Sequence, residues 1–319
     1  MVQTIQLYCP LDNLEIRHIT EKFNTDIKFI GGILDKTFTA VKTTITKRYF
    51  SWGIYLVVDI ITLLGHPNFS ESEYPVIEQY LNLYMNQIGL QFKDLTLLRI
   101  DYRLDVCIPD KNIRNSLFKI YEKTMEKYRF KMKDIRFKTT VYYNCKSTGM
   151  IIYDKREERI DNGELIMDFE DDVIRFEYKV LNKHLNNNKH KNNIEKELRN
   201  YFTKEQYLKY MKNNFEAILY KGNHYKIFKV DTILKNSTKL NEKSKKLIRQ
   251  FLIHVSDYGI TAVKNMKNEE DKLIYSKYQF NSIIKSLEDI NVNPILIPRD
   301  WECSSVIKNP FTANILKGV

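Results

Sequence analysis

The stretch Leu97–Ile108, LLRIDYRLDVCI, constrains the chain more than any other. Side chains of a strand alternate faces. On that period Leu98, Ile100, Tyr102, Leu104, Val106 and Ile108 share one face, while Arg99, Asp101, Arg103 and Asp105 share the other. Such a segment predicts a strand with one face packed under helices and two carboxylates and two guanidiniums on the other. Asp172–Val180, DVIRFEYKV, repeats the design, with Ile174, Phe176, Tyr178 and Val180 opposite Arg175, Glu177 and Lys179. A solvated outer face explains either strand alone. Acid and base at matching places on both point to a charged cleft, where carboxylates can hold Mg²⁺ or Mn²⁺ and arginines can neutralise phosphate oxygens.

Around these strands the pattern supplies a scaffold. Residues 38–48 and 54–62 read as strands, 75–88 as a helix stopped by Gly89, and 113–121 as a second helix. Strands are expected near 138–144, 149–154 and 173–181. The series β-β-α-β-α-β-β-β predicts an α+β fold, a mainly antiparallel sheet with helices on one face. Residues 182–196, LNKHLNNNKHKNNIE, read as a mobile loop, and 197–229 as a helix plus an edge strand completing a first domain, 1–230. Asp59, alone in an apolar strand, is either a third carboxylate of the cleft or an edge-strand charge, the latter being favoured. Residues 231–319 are expected to form a smaller, mostly helical domain, with helices near 242–256, 260–268 and 277–289 and an extended NPILIP tail. A winged helix-turn-helix is one form it can take. Lys245, Lys246 and Arg249 lie in its basic opening stretch.

Charge and motifs narrow the function. With 51 Lys and Arg against 40 Asp and Glu, the formal charge of +11 favours a polyanionic partner, DNA above all. No P-loop or dinucleotide glycine pattern is present, and Cys9, Cys107, Cys145 and Cys303 form no CxxC pair. The amino-terminal segment shows no signal-peptide pattern and the longest apolar run is too short for a bilayer, so a cytoplasmic protein without a membrane partner is expected. An RNA-binding protein that stacks bases wants aromatics on its sheet face, where these strands carry charges. The segment GMIIYDKREE ends a short strand in Tyr153. A phenol titrates near about 10 and needs activation to attack phosphorus, and Lys155 is the nearby ammonium that could lower it.

Four segments, in order, resemble the replication initiators of rolling-circle plasmids and the gene II endonucleases of filamentous phages. They are YLVVDIITLLGHPN from Tyr55, Arg99-Ile100-Asp101, Tyr153-Asp154-Lys155-Arg156-Glu157-Glu158 and Ile174-Arg175-Phe176-Glu177, and the resemblance spans roughly residues 38–230. It implies that Tyr153 is a nicking nucleophile. Asp101 and Glu177 become metal ligands, and Lys155 and Glu158 complete the site. From their charge, and not from the resemblance, Arg99, Arg103 and Arg175, with Lys245, Lys246 and Arg249, are expected to contact DNA. The implied reaction leaves a 5′-phosphotyrosine and a 3′-hydroxyl at an origin held partly as duplex and partly as single strand. A host polymerase and helicase are the implied partners, and a homodimer is left open. A mobilisation relaxase performs the same chemistry, and a non-catalytic DNA-binding regulator is the rival of another class. Many such nucleases hold metal with an HxH pair, which none of the six histidines forms here, so the ligands must be carboxylates, with at most one distant histidine. Tyr201, Tyr207 and Tyr210 read as helix packing rather than as a second nucleophile.

Overall fold

The computed structural model describes residues 1–48, 51–124 and 139–316. Residue 138, the start of the fourth expected strand, and 317–319, the end of the expected second domain, lie outside them. The elements run β1 (Val2–Leu11), α1 (Asn13–Phe23), α2 (Ile27–Thr37), β2 (Val41–Arg48), β3 (Ser51–Asp59), α3 (Ile60–Leu64), α4 (Tyr74–Gln87), β4 (Thr96–Cys107) and α5 (Lys111–Thr124). There follow β5 (Thr140–Asn144), β6 (Thr148–Asp154), α6 (Lys155–Asn162), β7 (Val173–Leu181), α7 (Asn182–Asn192), α8 (Leu198–Tyr201) and α9 (Lys204–Leu219). The remainder is β8 (His224–Tyr225), α10 (Ile227–Asn236), α11 (Glu242–Tyr258), α12 (Ile260–Lys264), α13 (Lys277–Asp289), β9 (Val306–Ile307) and α14 (Pro310–Asn314).

The fold is α+β. Seven strands form one antiparallel sheet in the order β2-β3-β1-β4-β7-β6-β5. The strands and helices expected between residues 38 and 181 are present, but the strand expected over 54–62 ends at Asp59 where α3 begins, α6 stands between the last two strands, and β1 was not foreseen. It enters the centre of the sheet, between β3 and β4. Its alternation is plain in retrospect: Ile5, Leu7, Cys9 and Leu11 are buried, while Thr4, Gln6 and Tyr8 are half-buried. In β4 the apolar face holds Ile100, Tyr102, Leu104 and Val106 in the core, but Leu97 is buried in place of Leu98. The register against β1 slips there, from Gln6↔Arg99 to Leu7↔Leu97, so a bulge at Leu98 swaps the two leucines.

The apolar face is covered by helices. Tyr102 meets Tyr207 and Tyr210 of α9, with ring centroids 6.1 and 5.5 Å apart, and donates to the Tyr201 carbonyl at 2.6 Å. Tyr201, Tyr207 and Tyr210 are therefore packing residues, as expected. Tyr84 of α4 hydrogen-bonds Thr43 of β2 at 2.7 Å.

Three expectations need correcting. Residues 182–192 form α7 rather than a loop. Only Leu185 and Asn188 of this helix are buried, and Asn188 donates to the Tyr201 and Tyr210 hydroxyls at 3.3 and 2.7 Å. A polar anchor thus replaces the apolar stripe that pattern reading looks for. The extended residues near 224 do not complete the large sheet: β8 pairs with β9. Asp59 is not an edge charge, because β3 lies inside the sheet. Its carboxylate caps α3, accepting from the Ile61 and Thr62 amides at 2.9 and 3.1 Å.

Beyond residue 230 the chain is mostly helical, with α11, α12 and α13 near their expected positions and α10 added. Its end returns to the sheet. Phe311 of α14 packs on Phe176 of β7 and Phe215 of α9, at centroid separations of 5.2 and 5.0 Å, and all three are fully buried. If the C-terminal residues share the core of the sheet, Phe176→Ala and Phe311→Ala should each cost about 3–5 kcal/mol. Their effects should be non-additive by about 0.5–3 kcal/mol in urea unfolding. Strict additivity would separate the two segments energetically.

Candidate active site on the open face of the sheet

Residues opposite each other on neighbouring strands share a face, so register decides which charges meet. One row runs Asp105–Arg175–Tyr153–Thr140 across β4, β7, β6 and β5. The next runs Arg103–Glu177–Ile151–Tyr142, and the next joins Thr4 and Asp101 to Lys179. The polar residues of β4 and β7 and the tyrosine ending β6 therefore stand on one face, away from the main helical layer. α6 overhangs it. Asp154 caps that helix, accepting from the Arg156 and Glu157 amides at 3.1 and 3.2 Å, and Gly163 ends it in the left-handed conformation, φ 67°.

Between sheet and helix lies a cavity of about 330 Å³. Tyr153, Asp101, Glu177, Arg99, Glu158 and Lys179 line it, with Thr4, Tyr142 and Asn162 among the residues not foreseen. The Tyr153 hydroxyl donates to Glu177 Oε2 at 3.2 Å, and Glu177 Oε1 lies 3.1 Å from Lys179 Nζ. Arg99 Nε donates to Asp101 Oδ1 at 2.7 Å and its Nη2 to Oδ2. Burial pushes the Asp101 carboxyl up to about 6; Arg99 offsets part of this and the charge of Glu177 adds to it. Burial likewise holds the Tyr153 phenol well above its usual value. Arg175 opposes that rise, and Glu177, Glu158 and Asp105 reinforce it. The phenol is held neutral, and its hydroxyl faces the Glu177 side chain.

Lys155 does not take the place expected of it. Its ammonium, 3% exposed, donates to Glu158 Oε2 at 2.6 Å and lies 3.7 Å from Glu170 Oε1. It sits 5.9 Å from the centroid of the Tyr153 ring, and two carboxylates hold it. Its effect is to fix Glu158 and the start of α6.

Arg103 and Arg175 are also turned inward. Arg175 is 1% exposed and grips Asp105 through Nε at 2.6 Å and Nη2 at 2.8 Å. Arg103 donates to the same carboxylate at 2.5 Å and to the Pro67 carbonyl. Neither guanidinium lines the cavity, whereas Arg99, with 25% of its side chain exposed, does. Lys245, Lys246 and Arg249 lie on α11. Lys245 pairs with Glu242 at 2.9 Å, Arg249 with Asp231 at 2.7 Å, and Lys246 is exposed. None of the three lines the cavity.

Among the described residues no group of three or more His, Cys, Asp or Glu side chains could hold a metal ion, and no histidine lines the cavity. Asp101 and Glu177 remain as a pair of carboxylates. A pair suits Mg²⁺ or Mn²⁺ when water and a substrate phosphate complete the shell, the usual arrangement for small hard cations. No family model matches the chain, and no curated protein matches it in sequence. Among the described residues no helix is long and apolar enough to cross a membrane.

Removing Asp105 leaves two buried guanidiniums facing each other. Asp105→Asn should cost about 3–5 kcal/mol, the usual effect of breaking a buried pair. Burial alone would raise the Asp105 carboxyl, but Arg175 and Arg103 outweigh it and hold it below the ordinary carboxylate value. Its contribution is therefore complete above about pH 4 and lost as pH falls through the lowered folded value. Thermal melting of both proteins from neutral to acid pH should show the difference narrowing below about pH 4. A constant difference would contradict this assignment.

Proposed function

We propose that the protein is a replication initiator that nicks one DNA strand by tyrosine transesterification, with Tyr153 as nucleophile. The observation that carries this reading is the Tyr153 hydroxyl donating to Glu177 inside a cavity that also holds Asp101 and Arg99. Three segments that resemble rolling-circle initiators in sequence meet at that one place. Glu177 takes the phenolic proton as the Tyr153 oxygen bonds to phosphorus. The bond from phosphorus to the 3′ oxygen breaks, and the proton returns to that oxygen as the 3′-hydroxyl. Arg99 faces the phosphate, and its charge favours the crowded transition state. Asp101 and Glu177 would hold Mg²⁺ or Mn²⁺, which when bound polarises the phosphate. Glu158 closes the rim, positioned by Lys155. The bond energy is retained in the 5′-phosphotyrosine, so rejoining needs no nucleotide.

The net charge supports a duplex origin as the larger target, with the C-terminal lysines and Arg249 as its electrostatic contacts, in a cytoplasmic setting that supplies polymerase and helicase. A mobilisation relaxase would use the same site. One observation favours a non-catalytic DNA-binding regulator: both carboxylates are already paired with cations, Asp101 with Arg99 and Glu177 with Lys179.

A single assay separates nicking from non-catalytic binding. Incubated with Mn²⁺ and supercoiled DNA of its own replicon, the protein should give a covalent adduct on a denaturing gel. Tyr153→Phe should abolish it, and Glu177→Gln should slow it by about 10²–10³-fold. Specific binding without any adduct, across several divalent metals, would leave the regulator.

A further inference from the structure

The cavity is one end of a longer surface. The same face continues across β1, β3 and β2, where Gln6 stands opposite Arg99, Tyr8 opposite Tyr55, and Tyr55 opposite Thr44. Tyr8 and Tyr55 are half-buried, with ring centroids 4.8 Å apart and planes tilted by 43°. Gly53 explains their posture. A Cβ on Gly53 would come within 2.3 Å of Tyr8 Cε2, so the glycine lets the Tyr8 ring lie down over the backbone of β3. Thr44 and Lys42 beside the pair are exposed, with 81% of the Lys42 side chain accessible and Asp35 no nearer than 4.0 Å. The expectation that this face would lack aromatics thus applies to β4 and β7 and not to the other half of the sheet.

We infer that the Tyr8–Tyr55 pair is a base-stacking platform for the single strand of DNA flanking the bond that Tyr153 attacks. The inference rests on the nicking reading for the direction of the strand, and on two observations for the occupant. The first is continuity: Thr4 and Arg99 line the cavity, Gln6 adjoins Arg99, and Tyr8 follows Gln6 on the same face. The second is charge: Arg99 and Lys42 border the path, and the chain carries +11 overall. Aromatic rings beside a basic track are how single strands are held without sequence preference. From the row of Tyr153 to that of Tyr8 is about 28 Å along the strands and about 14 Å across three strand spacings. A strand of about four nucleotides that starts in the cavity is too short to reach the pair, and one of about sixteen engages both.

The test uses the full chain without divalent metal and fluorescein-labelled oligothymidylates of those two lengths. Tyr8→Leu and Tyr55→Leu should each weaken the long oligonucleotide about tenfold and leave the short one unchanged, while Tyr8→Phe and Tyr55→Phe behave as wild type. In Tyr55→Trp, the long oligonucleotide should quench fluorescence beyond its effect on wild type, and the short one should not. This readout decides the matter if a leucine variant fails to fold. Unchanged affinity in folded leucine variants, no added quenching, or tighter binding of an equally long RNA would each overturn the platform. The two proposals fail separately. A Tyr153 adduct with indifferent Tyr8 and Tyr55 removes only the platform. Tyrosine-dependent binding of the long strand with no adduct removes only the nicking.

Discussion

Two hydrogen bonds from Arg175 to the carboxylate of Asp105 tie β7 to β4 in one register. A strand that slips by one residue exchanges its faces. In β7 such a slip would drive Arg175, Glu177 and Lys179 into the aromatic core and expel Ile174, Phe176 and Tyr178. Apolar burial already opposes the slip, and the buried ion pair adds a charge penalty, because either partner alone would be stranded away from water. Arg103 joins the same carboxylate from its own strand, so one acid is shared by two guanidiniums. The placement of Tyr153 against Glu177 follows from this, since β6 hydrogen-bonds to β7 and inherits its register.

The two faces of the sheet then have different work. One is closed by helices and by the returning C-terminal residues, through rings such as Tyr102, Phe176 and Phe311. The other gathers charges that would be costly in a core, yet several of its groups are buried. Asp101 is 1% exposed and Tyr153 6%. Partial burial beneath α6 sets their chemistry: it raises the Asp101 carboxyl and keeps the phenol protonated beside a proton acceptor. Away from α6 the same face carries Tyr8 and Tyr55, half-buried beside Gly53, with Lys42 at its edge.

Strands β4 and β7 could be read from their alternation alone, because a period of two with charges on every second residue has few other solutions. The helix α7 could not, since its anchor is an asparagine bonded to two tyrosine hydroxyls rather than an apolar stripe. The fates of the arginines were equally hidden. Arg99, Arg103 and Arg175 look alike along the chain, but only Arg99 faces the cavity, because Asp105 lies within reach of the other two. Lys155 follows Tyr153 by two residues, yet the turn into α6 points it at Glu158 and Glu170.

Local chemistry in the chain was enough to establish the α+β class and the division of β4 and β7 into an apolar and a charged side, while Asp101, Tyr153, Glu158 and Glu177 were singled out by the resemblance of short segments. These depend on periodicity and residue type, which are properties of neighbours in sequence. Which of those groups touch, which arginines are consumed in holding the sheet, and that Tyr8 and Tyr55 share the face with Tyr153 depend on β1 entering the centre of the sheet and β7 lying between β4 and β6. Strand order arises from contacts between distant segments, and no local pattern encodes it.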